Sequence, residues 1–222
     1  MINQSNQEVF NQIAESWYQV RHWSRFTREL SELALRWQKG KLLNIGCAHG
    51  PDFLPFKRGF NLYGIDFSIK MLEMAQKYAA KFDLQANLAI ADAVHLPFAD
   101  AAFDWAIAVA AYHHIEGQGQ RRQAFQELKR VLKPGGEAFV TVWNRCQLGF
   151  WLKGKEVQVP WKSKGEILHR YHYLYTYHEL CSELRKAGFE ILRIFPERAY
   201  RFPVKCFSRN ICALVKAPEP TS

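Results

Sequence analysis

The stretch LLNIGCAHG, residues 42–50, determines the fold class predicted for this chain. A short apolar run that leads into a glycine-containing turn is typical of a buried strand ending at a ligand site. Gly46 and Gly50 allow the backbone to turn tightly and to approach a ligand closely. Two positions depart from the common pattern, since Asn44 stands where an acidic residue is expected and Ala48 where a third glycine is expected. We interpret the stretch as a working site, because Asn44 keeps a hydrogen-bond acceptor and Ala48 is tolerated if its φ is negative.

A regular alternation of strands and helices surrounds this turn. The predicted strands are KLLNIG, FNLYGID, NLAIAD, AFDWAIAVAA and EAFVTVW, followed after a gap by FEILRIFPE and RNICALVKA. Helices are predicted from Pro51, over residues 69–82 behind the N-cap Ser68, over residues 120–132 until the sequence KPGG, and over residues 176–188. This order predicts an α/β fold with a mostly parallel seven-stranded sheet and helices on both faces, the Rossmann-like plan of class I methyltransferases.

The whole chain of 222 residues is predicted to form one domain with four segments. Residues 1–38 hold two N-terminal helices, the first with Val9, Phe10, Ile13 and Trp17 on one apolar face and the second running from an N-cap at Ser24 to Trp37. Residues 39–143 form the cofactor-binding half. Residues 144–175 are an aromatic and basic insertion on the substrate side, and residues 176–217 hold the closing helix and strands.

Composition narrows the class of protein and its partners. The net charge of +9 favours an anionic partner, with nucleic acid first. Five cysteines without C-x-x-C spacing argue against a zinc site or a disulfide framework and fit a reducing cytoplasm, and no metal is expected. The absence of an apolar run of about 18 residues and of a secretion signal leads us to expect a cytoplasmic protein without a membrane span.

Three strand ends carry chemistry suited to a nucleoside. Beside the glycine turn, Asp66 ends the second predicted strand and can bond ribose hydroxyls, and Asp92 follows the third and can accept from an adenine amino group. No phosphate-binding signature accompanies them, so S-adenosylmethionine fits better than NAD or ATP. The predicted cofactor-binding residues are Asn44, Gly46, Cys47, Gly50, Asp66, Phe67, Asp92, Ala93 and Ala110.

With these motifs placed, nearly the full length of the chain resembles the tRNA wobble-uridine carboxymethyl methyltransferases. The resemblance is carried by VFNQIAESWYQVRHW, GCAHG, GIDFS, ADAVHLPF, the double histidine in AVAAYHHIEG, VPW, RYHYLY and SRNICALVKA. It implies methylation of the carboxylate of 5-carboxymethyluridine at the wobble position, with S-adenosylmethionine as cofactor and a tRNA anticodon loop as partner. Departures from the family pattern occur at Asn44, Ala48, Val20, Ile211 and Cys212.

The resemblance also implies roles for individual residues. Arg21 would hold a carboxylate in bidentate fashion, either that of the substrate or that of the cofactor. His113 and His114 follow the fourth strand, and one of them, for which we favour His114, would face the substrate. The residues expected to contact RNA phosphates and bases are Arg170, Tyr171, His172, Arg209 and Asn210.

A protein partner is implied as well. Relatives in this family are activated by a small zinc-binding protein that pairs with the sheet edge. The third strand of this fold lies at an edge, and here it is NLAIA, from Asn87 to Ala91, without the Lys, Glu or Pro that usually protects an exposed edge.

Two other functions are compatible with the sequence. The shared core of the fold would also suit a methyltransferase for a quinone or another small metabolite, although the charge of +9 counts against it. The substitutions at Asn44 and Ala48 would suit a non-catalytic protein that has lost cofactor binding.

Overall fold

A seven-stranded sheet forms the centre of the molecule. The computed structural model describes residues 5–150, 152–163, 165–202 and 204–219. The sheet order is β3-β2-β1-β4-β5-β9-β8; β1 to β5 are parallel, and β9 is antiparallel to both β5 and β8. The strands are β1 (Gly40–Ile45), β2 (Phe60–Asp66), β3 (Ala86–Ile90), β4 (Phe103–Val109), β5 (Leu132–Trp143), β8 (Glu190–Pro196) and β9 (Asn210–Lys216). This architecture confirms the predicted fold class, and it places β3 at an edge.

Five α-helices accompany the sheet in the part of the chain that the structure describes: α1 (Asn6–Val20), α2 (Thr27–Trp37), α3 (Ile69–Phe82), α4 (Gln118–Val131) and α5 (Tyr177–Lys186). The hydroxyl of Ser68 accepts a hydrogen bond from the Met71 backbone N–H, as an N-cap does. The predicted N-cap at Ser24 is wrong, because α2 begins at Thr27 and Phe26 occupies its N-cap position. The Ser24 hydroxyl instead accepts from the Phe26 N–H in the turn before the helix.

Three other elements differ from the sequence prediction. The segment from Pro51 is a single 3-10 turn, Pro51–Phe56, because Pro55 lacks the N–H that a longer helix would need. The segment KPGG does not stand between α4 and β5, since it forms the beginning of β5. The insertion contains an unexpected antiparallel hairpin, β6 (Glu156–Ser163) and β7 (Glu166–Tyr173), which lies outside the main sheet.

Helix α1 joins this hairpin to the main sheet. Its buried face carries Val9, Phe10 and Ile13, which pack in one cluster with Met71 of α3. The side chain of Asn6 donates to the carbonyl oxygen of His114 at 2.9 Å and to that of Tyr171 at 3.2 Å, and it accepts from the Tyr171 N–H at 2.9 Å. The first turn of α1 therefore fixes β7 against the segment that follows β4.

Candidate functional site

A cavity of about 790 Å³ lies where the strand order reverses, at the carboxyl ends of the parallel strands. The predicted cofactor residues that line it are Gly46, Cys47, Asp66, Phe67, Asp92, Ala93 and Ala110. It is also lined by Arg21, His113, His114, Arg170, His172 and Asn210. The predicted residues Asn44, Gly50, Tyr171 and Arg209 do not line it. One cavity therefore holds most of the residues expected to bind cofactor and most of those expected to meet substrate.

The turn after β1 has the geometry that its glycines allow. Gly46 has a φ of 68°, and a Cβ placed there would lie 2.6 Å from the Cβ of Ala111. Gly50 has a φ of 87°. Ala48 has a φ of 46°, which contradicts the expectation of a negative angle at this position. Its backbone N–H donates to the Asp66 carboxylate at 2.9 Å, so a hydrogen bond from β2 supports a conformation that an L-residue rarely adopts.

Asn44 does not face the cofactor side of the turn. Its side chain is fully buried, and neither amide atom has a hydrogen-bond partner. It lies on the same face of β1 as Leu42, beneath the cluster that contains Phe53 and Phe56. The expectation that Asn44 contacts the cofactor is therefore corrected, because the alternation of the strand directs its side chain into the protein.

Asp66 organises the end of β2. Its carboxylate accepts from the Ala48 N–H and from the Ser68 N–H, each at 2.9 Å. Burial raises the pKa of Asp66 to about 6, and the two backbone hydrogen bonds oppose that rise. Asp92 follows β3, is exposed, and accepts from the Val94 N–H at 3.1 Å. Both carboxylates line the cavity, with acceptor capacity left for hydroxyl or amino groups.

Two arginines converge on a pair of tryptophans at the other end of the cavity. The rings of Trp17 from α1 and Trp161 from β6 are 4.9 Å apart. The Cζ atom of Arg21 lies 4.8 Å from the ring centroid of Trp17, and that of Arg170 lies 5.0 Å from the ring centroid of Trp161. Neither guanidinium forms an ion pair with a carboxylate among the residues that the structure describes.

The charges of these arginines remain uncompensated. Burial and the nearby Arg21 lower the pKa of Arg170 to about 10, and Arg170 still carries a buried Nε without a partner. Burial, followed by Arg25 and Arg209, lowers the pKa of Arg21. Both arginines keep their charge at neutral pH, so this end of the cavity is suited to an anion.

Three histidines meet beside Arg170. The ring centroids of His114 and His172 are 4.3 Å apart, and those of His113 and His172 are 5.1 Å apart. Burial lowers the pKa of all three, that of His172 to about 3, so the imidazoles are neutral. One nitrogen from each lies within 4.8 Å of the others. The adjacent guanidinium of Arg170 opposes the binding of a cation at this position.

Backbone hydrogen bonds set the tautomers of these rings. The Nδ1–H groups of His114 and His172 donate to the carbonyl oxygens of Tyr171 and Arg170, each at 3.0 Å. The Nδ1 of His113 accepts from the Trp143 N–H at 3.3 Å. The Nε2 atoms of His114 and His172 are therefore acceptors, and the Nε2–H of His113 is a donor.

The residues expected to contact RNA do not form an exposed basic loop. Arg170, Tyr171, His172 and Asn210 are buried, and Arg209 is exposed. The expectation that these four residues contact phosphates of an RNA at the protein surface is therefore corrected, because their side chains are buried. Three of them, Arg170, His172 and Asn210, can only meet a group that enters the cavity.

Several residues at the site were not found by sequence reasoning. Asn6 links α1 to β7, and Trp17 was assigned only to an apolar face. His49 lies buried between Tyr18 and Tyr78, and its Nε2–H donates to the carbonyl oxygen of Arg21. The acidic residue Asp52 also lines the cavity. Its position just after the glycine turn was the only signal that could have singled it out.

Comparisons with known proteins agree with this geometry. A family model described as a methyltransferase domain matches residues 43–140. The chain is 27% identical over 218 residues to the tRNA (carboxymethyluridine(34)-5-O)-methyltransferase of Schizosaccharomyces pombe, covering 86% of this chain and 90% of that protein. It is 28% identical to the mouse tRNA (carboxymethyluridine(34)-5-O)-methyltransferase ALKBH8, covering 68% of this chain and 22% of the mouse protein.

Several relatives are longer, and the chain spans only 20–37% of the length of six of them. Among solved structures, a methyltransferase in complex with the Haloferax volcanii Trm112 methyltransferase activator superposes with a TM-score of 0.70 at 16% identity, covering 98% of this chain and 100% of that chain. At that identity the likeness shows the fold alone.

The cavity suits the cofactor implied by this fold, because carboxylates that can bind ribose hydroxyls and an adenine amino group follow β2 and β3. Its volume is also in the usual range for a cofactor site. The fold is that of the class I methyltransferases, and the chain is an S-adenosylmethionine-dependent methyltransferase. Within that class it resembles the tRNA carboxymethyluridine methyltransferases. No helix in the described ranges is both long and apolar enough to cross a bilayer.

Proposed function

We propose that this enzyme methylates the carboxylate of 5-carboxymethyluridine at the wobble position of tRNA. The observation that carries the proposal is two arginines of the cavity lining, Arg21 and Arg170, which contact Trp17 and Trp161 and form no ion pair with a described carboxylate. Arg170 is buried and Arg21 is half-buried, and cations withdrawn from water without an acidic partner are costly, so the site is suited to an anionic substrate group. The names of the relatives supply the particular nucleoside.

The reaction needs orientation rather than proton transfer. A carboxylate is already ionised at neutral pH, so it can attack without a general base. Bound S-adenosylmethionine supplies a methyl group activated by the adjacent sulfonium. Arg21 and Arg170 would hold the carboxylate oxygens, and the tryptophans would limit movement of both guanidiniums. The site therefore acts by alignment and by partial removal of water.

The histidines offer a hydrogen-bond pattern for the uracil ring. The Nε2–H of His113 would donate to a carbonyl, while the Nε2 atoms of His114 and His172 would accept from a ring N–H. His172 supports this role particularly, because its Nε2 is buried and has no partner. Neutral rings suit such contacts better than charged ones, since the arginines already supply positive charge.

The test is nucleoside mass spectrometry of under-modified tRNA incubated with the enzyme and S-adenosylmethionine. We expect 5-carboxymethyluridine to decrease and its methyl ester to appear, and Arg170→Met to slow the change. Arg193→Met is the matched control, because Arg193 is an exposed arginine whose Cζ lies 4.6 Å from the Phe195 ring on β8. Methylation of metabolites from a cell extract, with tRNA unchanged, would instead support a small-molecule methyltransferase.

We also propose that an activator protein adds a strand to β3. This strand is an open edge of the sheet, and Ile90 is 55% exposed. The Ala91 N–H donates to the backbone carbonyl oxygen of Asp66 on β2. The neighbouring Ile90 N–H therefore points away from the sheet. The structural neighbour from Haloferax volcanii was solved with such an activator. Ile90→Pro should abolish co-purification with the activator while leaving binding of S-adenosylhomocysteine within a few-fold; unchanged co-purification would contradict the proposed edge.

A further inference from the structure

Asp52 is a buried carboxylate in the wall of the cofactor cavity. It is the second residue of the 3-10 turn that follows the glycine turn, and only 8% of its surface is exposed. Among the described residues it has no ion-pair partner, and the Ser24 hydroxyl is the one group that hydrogen-bonds to it. Burial raises the pKa of Asp52 to about 6, so the group is largely ionised at neutral pH. A buried anion without a cation is costly unless a ligand supplies one.

The position of Asp52 distinguishes it from the other acids of the cavity. The described lining contains four carboxylates: Asp52, Asp66, Asp92 and Glu116. Asp66 ends β2 and Asp92 follows β3, the positions predicted to bind the ribose and the base of the cofactor, and Glu116 is exposed. Ligands of such sheets bind where the strand order reverses, between β1 and β4, so a cofactor whose nucleoside meets Asp66 and Asp92 would place its amino-acid end near the turn after β1. Asp52, which follows β1, is the buried acid on that side.

The charges around Asp52 also favour a cationic ligand group. Burial raises the pKa of Cys47 in the glycine turn and that of Tyr78, and the negative charge of Asp52 adds to both shifts. The nearby His49 is neutral, because burial lowers its pKa to about 4. Within the described part of the chain no cation therefore compensates Asp52, while Arg21, which also lines the cavity, is available for a carboxylate.

We propose that Asp52 binds the ammonium group of the cofactor's amino-acid end. Asp52 and Asn44 belong to one structural unit, because Asn44 is buried on the face of β1 that the 3-10 turn covers. Asp52, on the turn above the strand, lines the cavity, whereas Asn44 does not. The inference depends on the cofactor and is independent of the tRNA substrate.

The test compares two probes by calorimetry: S-adenosylhomocysteine and its analogue that lacks the amino group. Wild type should bind the amino-containing probe about tenfold or more tightly than the analogue, as expected for a contact between charged groups. Asp52→Asn should weaken binding of S-adenosylhomocysteine by about tenfold or more and leave the analogue within about twofold. Glu190→Gln is the control, because Glu190 is exposed and lies outside the cavity lining, and it should change neither dissociation constant by more than about twofold.

The ratio of the two dissociation constants decides the outcome. Both probes bind the same folded protein, so partial unfolding of Asp52→Asn would weaken both equally and leave the ratio unchanged. A collapse of the ratio in this variant supports the proposal. Equal losses for both probes, no loss for either, or equal affinities in wild type would each overturn it. None of these measurements needs tRNA, so the result is separate from that of the proposed methylation.

Discussion

Replacing Arg170 by Met should make the protein more stable and less active. The pKa of Arg170 falls from its ordinary 12.5 to about 10, because burial and Arg21 disfavour its charged form. At about 1.36 kcal/mol per pKa unit, this charge destabilises the folded state by about 3 kcal/mol. The lowered pKa belongs to a cation, so the destabilisation is present at neutral pH and is relieved only as pH rises above about 10.

The interactions that Arg170 loses reduce this gain. Its Cζ lies 5.4 Å from the Trp17 ring centroid and 5.0 Å from that of Trp161, and each cation–π contact stabilises by about 1 kcal/mol. Methionine keeps the packing of the side chain and carries no charge. The net gain is about 1 kcal/mol, which raises Tm by about 2–4 °C for a chain of this length.

The activity should change in the opposite direction. Loss of hydrogen bonds between a charged group and the substrate carboxylate costs about 1.5–3 kcal/mol, which lowers kcat/KM by about 10- to 150-fold. Thermal and urea denaturation of the free enzyme give the stability, and tRNA methylation gives kcat/KM. Arg193→Met serves as the control and should change neither quantity appreciably. If Arg170→Met unfolds several degrees below wild type and methylates tRNA at the normal rate, Arg170 is a packing residue and the anion site is misassigned.

Four further substitutions follow from the site. Asp66→Ala should weaken S-adenosylmethionine binding in calorimetry by roughly 10- to 150-fold, because ribose hydroxyls lose their charged acceptor; unchanged affinity would misplace the nucleoside. Asn44→Asp should lower the free energy of unfolding in urea by about 3 kcal/mol, because the new charge is buried without a partner; a tighter cofactor site would argue against this. Arg21→Lys should methylate tRNA poorly, because the point charge of lysine lacks the planar fork with which arginine holds a carboxylate. Burial lowers the pKa of His172 from 6.5 to about 3, so the folded protein resists protonation and its stability falls as pH drops below 6.5. His172→Gln should reduce the loss of unfolding free energy between pH 7 and pH 5 by about 2 kcal/mol, measured by urea titration.

The sequence predicted the sheet because the signals for it are local. Apolar runs, glycine turns and caps such as Ser68 act within a few residues, and parallel strands require helical crossovers. Asp66 and Asp92 could be expected at one site for the same reason, since the carboxyl ends of parallel strands share an edge of the sheet. Their roles towards the cofactor remain predictions.

Tertiary packing decided the substrate end of the cavity. Trp17, Arg21, Trp161, Arg170 and His172 come from segments more than 100 residues apart in the chain, and no local period relates them. The hairpin of β6 and β7 meets α1 through contacts between residues far apart in the sequence, such as those between Asn6 and Tyr171.

The direction of single side chains was also decided in three dimensions. Asn44 stands where the sequence predicts a cofactor contact, and the pleat of β1 turns it into the core. Asp52 has no motif of its own, and the tight turn that follows Gly50 brings it to the cavity. Local sequence sets the path of the backbone, whereas which side chains meet depends on how distant elements pack against one another.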